Sequence, residues 1–135
     1  MTETLPPAEV VRRSGFSLDT LRYYERVGLL HGISRSASGH RRFSEADLEW
    51  LGVLRCLRDT GMPIAEMCRY AASAREGDRT LAERLALLTA HEERVERHIA
   101  ELRAQQEHLR EKIAWYQEQL RRSGSDTAPE GGSSA

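Results

Sequence analysis

Asp19, Arg22, Tyr23 and Arg26 fall at i, i+3, i+4 and i+7, a spacing that puts four polar side chains on one face of a helix. Two guanidiniums and a phenol together suit a phosphate or the edge of a guanine. Arginine offers a planar fork to either, and a tyrosine hydroxyl donates to phosphate. The opposite side of the same stretch carries Leu18, Leu21 and Tyr24, with Glu25 beside them, and can enter a core. Taken alone, the face reads equally as a recognition surface or as a solvated basic stripe. Arg35, Arg41 and Arg42 follow closely and would extend a footprint along a nucleic-acid backbone.

This basicity is hidden in the total. The 135 residues carry 20 basic and 21 acidic side chains, a net charge of -1. Between Arg12 and Arg42, however, seven arginines stand against Asp19 and Glu25, a local +5. Lys112 is the only lysine.

The second chemistry on offer is that of a thiol. Cys56 lies 200° around a helix from Leu54, on the side of Glu49, Gly52 and Val53 and off the apolar stripe of Trp50, Leu51, Leu54 and Leu57. Arg55 and Arg58 flank it in sequence and would favour a nucleophilic thiolate. The competing reading is a small packing residue. Cys68 reads as a resolving thiol or a core residue, the second being simpler. His91, His98 and His108 read as solvated helix positions, because two imidazoles seven residues apart without a third ligand make a poor metal site. No metal and no cofactor is expected.

These residues need elements to hold them. Pro6-Pro7 opens a helix through Ser14 that Gly15 ends, and Ser17 caps a second from Leu18 to Val27, closed by Gly28. Two short helices around a glycine turn have the grammar of a helix-turn-helix. Two extended pieces, Leu30–Ser34 and His40–Phe43, with a turn at Ser36–Gly39, predict a small wing. Ser44 caps a third helix to Thr60, and Pro63 starts a fourth ending near Ala74. Residues 75–80 read as a polar linker.

Beyond it, positions 81, 85, 88, 92, 95, 99, 102, 106, 109, 113, 116 and 120 alternate in steps of four and three, and ten of these twelve are apolar. That is a coiled-coil seam. A helix of about 42 residues spans roughly 63 Å and cannot bury its own stripe, so its partner is most simply a second copy. Glu92 and Gln106 interrupt the seam, as points of register selection or of contact with the globular part. Residues 122–135 are low in complexity and are expected to be disordered.

Composition excludes several classes. No apolar run reaches the roughly 18 residues of a membrane span, no signal peptide is recognisable, and two cysteines make no disulfide framework. No phosphate-binding glycine loop, acid/base constellation or metal-ligand spacing supports an enzyme. A soluble cytoplasmic protein follows.

The stretch Ser17-Leu18-Asp19-Thr20-Leu21-Arg22-Tyr23-Tyr24-Glu25-Arg26-Val27-Gly28-Leu29-Leu30, together with Gly39-His40-Arg41-Arg42-Phe43, resembles the MerR family of bacterial transcription regulators. The resemblance extends from Leu5 to Leu120. It implies a mainly α fold: a winged helix-turn-helix DNA-binding domain over 1–74, then a coiled-coil dimerisation helix over 81–121. It further implies an antiparallel homodimer on double-stranded promoter DNA, activating RNA polymerase there by bending and untwisting an overlong spacer. DNA contacts are implied from Ser17, Thr20, Arg22, Tyr23, Arg26, His40, Arg41 and Arg42, with His40 where the family often has tyrosine. Metal-responsive members resemble one another in cysteines at the start of the long helix, whereas residues 69–135 here have none. The drug-binding members' ligand domain is likewise not expected. The segments Leu54–Gly61 and Glu76–Thr80 look like the branch that responds to aldehydes and other electrophiles, which implies Cys56 as sensor. Two alternatives stand beside this reading: a coiled-coil adaptor whose small head binds protein, and a family member without an effector.

Overall fold

The computed structural model describes residues 4–125. Its elements follow one another as α1 (Pro7–Ser14), α2 (Leu18–Arg26), β1 (Ser34–Arg35), β2 (Arg41–Arg42), α3 (Glu45–Asp59), α4 (Ile64–Arg75), a 3-10 turn (Gly77–Thr80) and α5 (Leu81–Ser125). Most boundaries have a local cause. Proline occupies the first turn of α1, where its missing N–H costs nothing, and Gly15 closes the helix at φ 80 while its N–H reaches the Val11 carbonyl. A Cβ at residue 15 would stand 2.1 Å from the Arg55 guanidinium, so any other residue there would also displace Arg55. Ser44 and Asp47 form a reciprocal capping box at the start of α3.

Contacts divide the chain into two compact units, one reaching to Val95 and one beginning at Glu96. In the first, α1, α2, α3 and α4 surround a core that includes Val10, Phe16, Leu21, Tyr24, Leu51 and Leu54, all buried. The two wing strands pair antiparallel, Ser34 with Arg42 and Arg35 with Arg41, and Leu5 bridges Phe43 at the wing's base.

Several expectations change. The wing strands are two residues each, shorter than Leu30–Ser34 and His40–Phe43, because Leu29 and Leu30 turn into the core and Gly32 takes a positive φ. Residues 75–80 are not an open linker: Arg75 ends α4 and Thr80 is buried, its hydroxyl donating to the Ser73 carbonyl at 2.5 Å. The first unit also takes in the first turns of α5. Leu88 packs on the core, and Arg94 Nη2 donates to Glu66 of α4 at 2.5 Å. Contact with the head thus comes from Leu88, His91 and Arg94; Glu92 is exposed.

As far as Ser125 the second unit is a helix. Along it Leu102, Leu109, Ile113, Tyr116 and Leu120 are each more than half exposed, as the seam pattern requires of a chain seen alone. Residues 122–125 continue α5 instead of starting the tail, and the remainder of 122–135 lies outside the described residues. Among the described residues no helix is long and apolar enough to cross a membrane.

Candidate nucleic-acid interface

The amphipathic division expected for α2 is present. Leu21 and Tyr24 are buried, whereas Asp19, Arg22, Tyr23 and Arg26 are exposed. Tyr24 meets Phe16 edge to face at 5.2 Å, and burial pushes its phenol above its ordinary pKa while Arg58 pulls the other way. The phenol left facing outward is Tyr23, with the Arg26 guanidinium 5.5 Å from its ring centre. Arg22 lies 3.6 Å from Asp19, an open pair of the kind that exchanges easily for a phosphate. Ser17 is engaged at the helix start: its oxygen accepts the Thr20 N–H at 3.1 Å and its hydroxyl donates to Thr20 Oγ1 at 2.9 Å. It therefore holds α2 and Thr20 in place.

The wing brings a second set to the same side. A cleft of about 380 Å³ gathers Arg22 of α2 with Arg35, His40, Arg41 and Arg42, over a floor that includes Leu18. Four residues expected to meet DNA thus converge, together with Arg35, the remaining wing arginine expected to extend the footprint. Arg41 and Arg42 are more constrained than expected. Arg41 Nε donates to Glu25 at 2.7 Å, and Arg42 donates to the Thr4 hydroxyl and carbonyl, each at 3.3 Å. Among the exposed residues of the wing, His40 is bonded by Ser38 and Arg35 by the Gly39 carbonyl, both at 3.4 Å. A cleft walled by arginines, beside a helix presenting Tyr23 and Arg26, can hold a curved polyanion by charge-assisted hydrogen bonds.

Cys56 is exposed, on the face of α3 shared with Val53, as its helical angle predicts. Its flanking arginines serve other groups. Arg55 Nη1 donates to the Ser14 carbonyl at 3.0 Å, the Arg58 guanidinium lies 4.6 Å from the centre of the Phe16 ring, and both pair with Asp59. The hydrogen bond from Arg58, helped by Arg55, holds the Asp59 carboxyl below its usual range. Both cations are thus engaged with Asp59, Arg55 also with Ser14 and Arg58 with the Phe16 ring. Cys68 is half-buried against the core, its thiol 3.7 Å from the Val27 carbonyl.

One residue was misread. His91 is 7% exposed rather than solvated, and its Nε2 stands 2.7 Å from Thr60 Oγ1 at the end of α3. Thr60 in turn donates to the Cys56 carbonyl at 2.6 Å. Position in a heptad could not reveal this, because Thr60 is 31 residues away. His98 and His108 are exposed, and among the described residues no group of three or more His, Cys, Asp or Glu is arranged to hold a metal.

Helix-turn-helix, wing and arginine-lined cleft define a winged DNA-binding protein. The family model for MerR HTH family regulatory proteins matches residues 5–73, and that described as MerR, DNA binding, matches residues 48–112. An HTH-type transcriptional regulator of Haemophilus influenzae is 40% identical over 114 residues, 84% of this chain and 84% of its own length. The HTH-type transcriptional regulator AdhR of Bacillus subtilis is 38% identical over 88 residues, covering 65% of this chain and 63% of its own. The crystal structure of HiNmlR, a MerR family regulator lacking the sensor domain, bound to promoter DNA, superposes with a TM-score of 0.82 at 38% identity, covering 91% of this chain and 97% of that one. The chain belongs to the MerR family of DNA-binding transcriptional regulators.

Proposed function

We propose that this regulator acts as a homodimer joined by an antiparallel coiled coil of α5. Each copy places α2 in a major groove and its wing on the adjacent backbone. The observation that carries this reading is the cleft in which Arg22 meets Arg35, His40, Arg41 and Arg42, and a relative's complex with promoter DNA supports it. Thr20, Arg22, Tyr23 and Arg26 contact DNA from α2; His40, Arg41 and Arg42 contact it from the wing; Ser17 sets the start of the helix. Bending and untwisting the promoter then realigns the elements that RNA polymerase reads, which makes the protein an activator. Binding to a promoter fragment measured against salt tests the DNA-facing surface. Neutralising about six to ten phosphates should lower affinity by about 10³-fold or more between 50 and 200 mM salt. Salt-independent binding would point instead to a protein-binding head.

Cys56 serves in this proposal as a thiol switch for aldehydes or other electrophiles. Its exposure supports access. The sulfur adds to the aldehyde carbon, the C=O π bond opens, and the thiol proton ends on the new hydroxyl of a hemithioacetal. Modification at α3 would then bias the relative setting of the two heads in the dimer. If Cys56→Ser still induces its promoter fully on aldehyde exposure, the sensing role is lost and the DNA-binding role stands.

A further inference from the structure

The wing carries an electrostatic problem of its own. Arg35 and Arg41 are direct partners across the two strands, and like charges placed opposite each other destabilise a strand pair. With two residues in each strand, few ladder hydrogen bonds oppose that repulsion. Glu25 of α2 stands against both: its Oε1 is 2.7 Å from Arg41 Nε and 3.7 Å from Arg35 Nη2. The side chains of Glu25 and Arg41 are only about a quarter exposed, so solvent screens this pair less than the open pairs nearby. An acid amid a basic surface is otherwise unwelcome, because a carboxylate near DNA repels phosphate.

We propose that Glu25 is a positioning and specificity-determining residue: it is the shared counter-ion of Arg35 and Arg41, and it fixes the wing to α2 so that both reach DNA in one register. The inference rests on the DNA-facing role proposed for α2 and the wing. It separates cleanly from a simple charge effect. By charge alone, removing Glu25 tightens binding to every duplex equally. By positioning, it tightens loose, sequence-independent binding while weakening the site at which helix and wing must fit together.

The test begins with duplexes enriched from a random pool by the wild-type chain. Affinities of wild type, Glu25→Gln and the double variant Glu25→Gln/Arg35→Gln are then measured on an enriched and a scrambled duplex, with melting followed by circular dichroism. Glu25→Gln should bind the scrambled duplex about two- to threefold more tightly, yet its ratio of specific to non-specific affinity should fall about tenfold. The double variant restores the wild-type net charge and removes the opposed pair, so it should recover most of that ratio. An unchanged or raised ratio in Glu25→Gln overturns the inference alone, whereas a wild-type chain that enriches no duplex overturns the DNA-facing role with it. If Glu25→Gln unfolds and the double variant folds, the counter-ion role is supported. If both unfold, Glu25 holds the whole head and the wing-positioning role falls.

Discussion

The core that α1 to α4 build in the head and the helix from Glu96 onward treat leucine in opposite ways. Leu51 and Leu54 are fully buried in the head, while Leu109 and Leu120 are 63% and 73% exposed along the helix. Both sets lie on α-helices and both follow a helical stripe, so local pattern does not separate them. What differs is the number of neighbouring elements. Beside Leu54 the chain supplies α1 and α4 as well as α3, and burial is completed within one molecule. Beside Leu109 no other element packs among the described residues, and each large apolar side chain left in water forgoes about 2 kcal/mol or more. The head's core is therefore completed by its own elements, whereas the proposed homodimer would supply the surface that covers the distal helix.

The contrast breaks most forcefully at Leu109. Leu109→Asp in a homodimer removes two seam leucines and buries two carboxylates, a cost of about 6 kcal/mol per dimer. Analytical ultracentrifugation should show the wild type as a dimer and the variant as a monomer at micromolar concentration. Promoter affinity should fall by about 10²-fold or more as the two heads lose their linkage. A wild-type monomer, or a variant dimer, would remove the seam as the source of the helix's stability.

Leu54→Ala probes the other side. Deleting a fully buried leucine should destabilise the head by about 3 kcal/mol, seen as a lowered denaturation midpoint. Under native conditions the dimer mass should persist, because the seam is untouched. If Leu54→Ala dissociated the protein without lowering the midpoint, the two regions would not be drawing on separate sources.

Their legibility in the sequence divides along a similar line. Ser17, Ser44 with Asp47, and Gly15 announced their helix ends because a cap is settled within three or four residues. The faces of α2 and α3, and the place of Cys56 off the apolar stripe of α3, followed from 100° per residue alone. What escaped were pairings across long stretches of chain. Glu25 and Arg41 are 16 residues apart, and Arg55 reaches Ser14 over 41. Closeness in sequence likewise could not show that Arg55 and Arg58 engage Ser14, Phe16 and Asp59. The wing was overextended for a related reason: a turn at Ser36–Gly39 predicts flanking strands, but only the core shows that Leu30 turns inward.

The smallest effect, and the sharpest on where the head ends, lies at Thr60 and His91. Thr60 has one hydroxyl hydrogen, directed to the Cys56 carbonyl at 2.6 Å, so its lone pair is free to accept from His91 Nε2–H at 2.7 Å. The ring's Nδ1 is buried without a hydrogen-bond partner. The two residues are consequently not equivalent. Thr60→Val strands a buried Nε2–H and should cost about 1.5 kcal/mol of head stability. His91→Leu leaves Thr60 satisfied by Cys56 and removes the unpaired nitrogen, so it should change stability by about 0.5 kcal/mol or less. Adding His91→Leu to Thr60→Val should recover most of the loss, measured as shifts in the urea midpoint. Equal costs for the two single variants would mean that His91 is held by something other than Thr60. The expected asymmetry would place the segment of α5 around His91 energetically in the head.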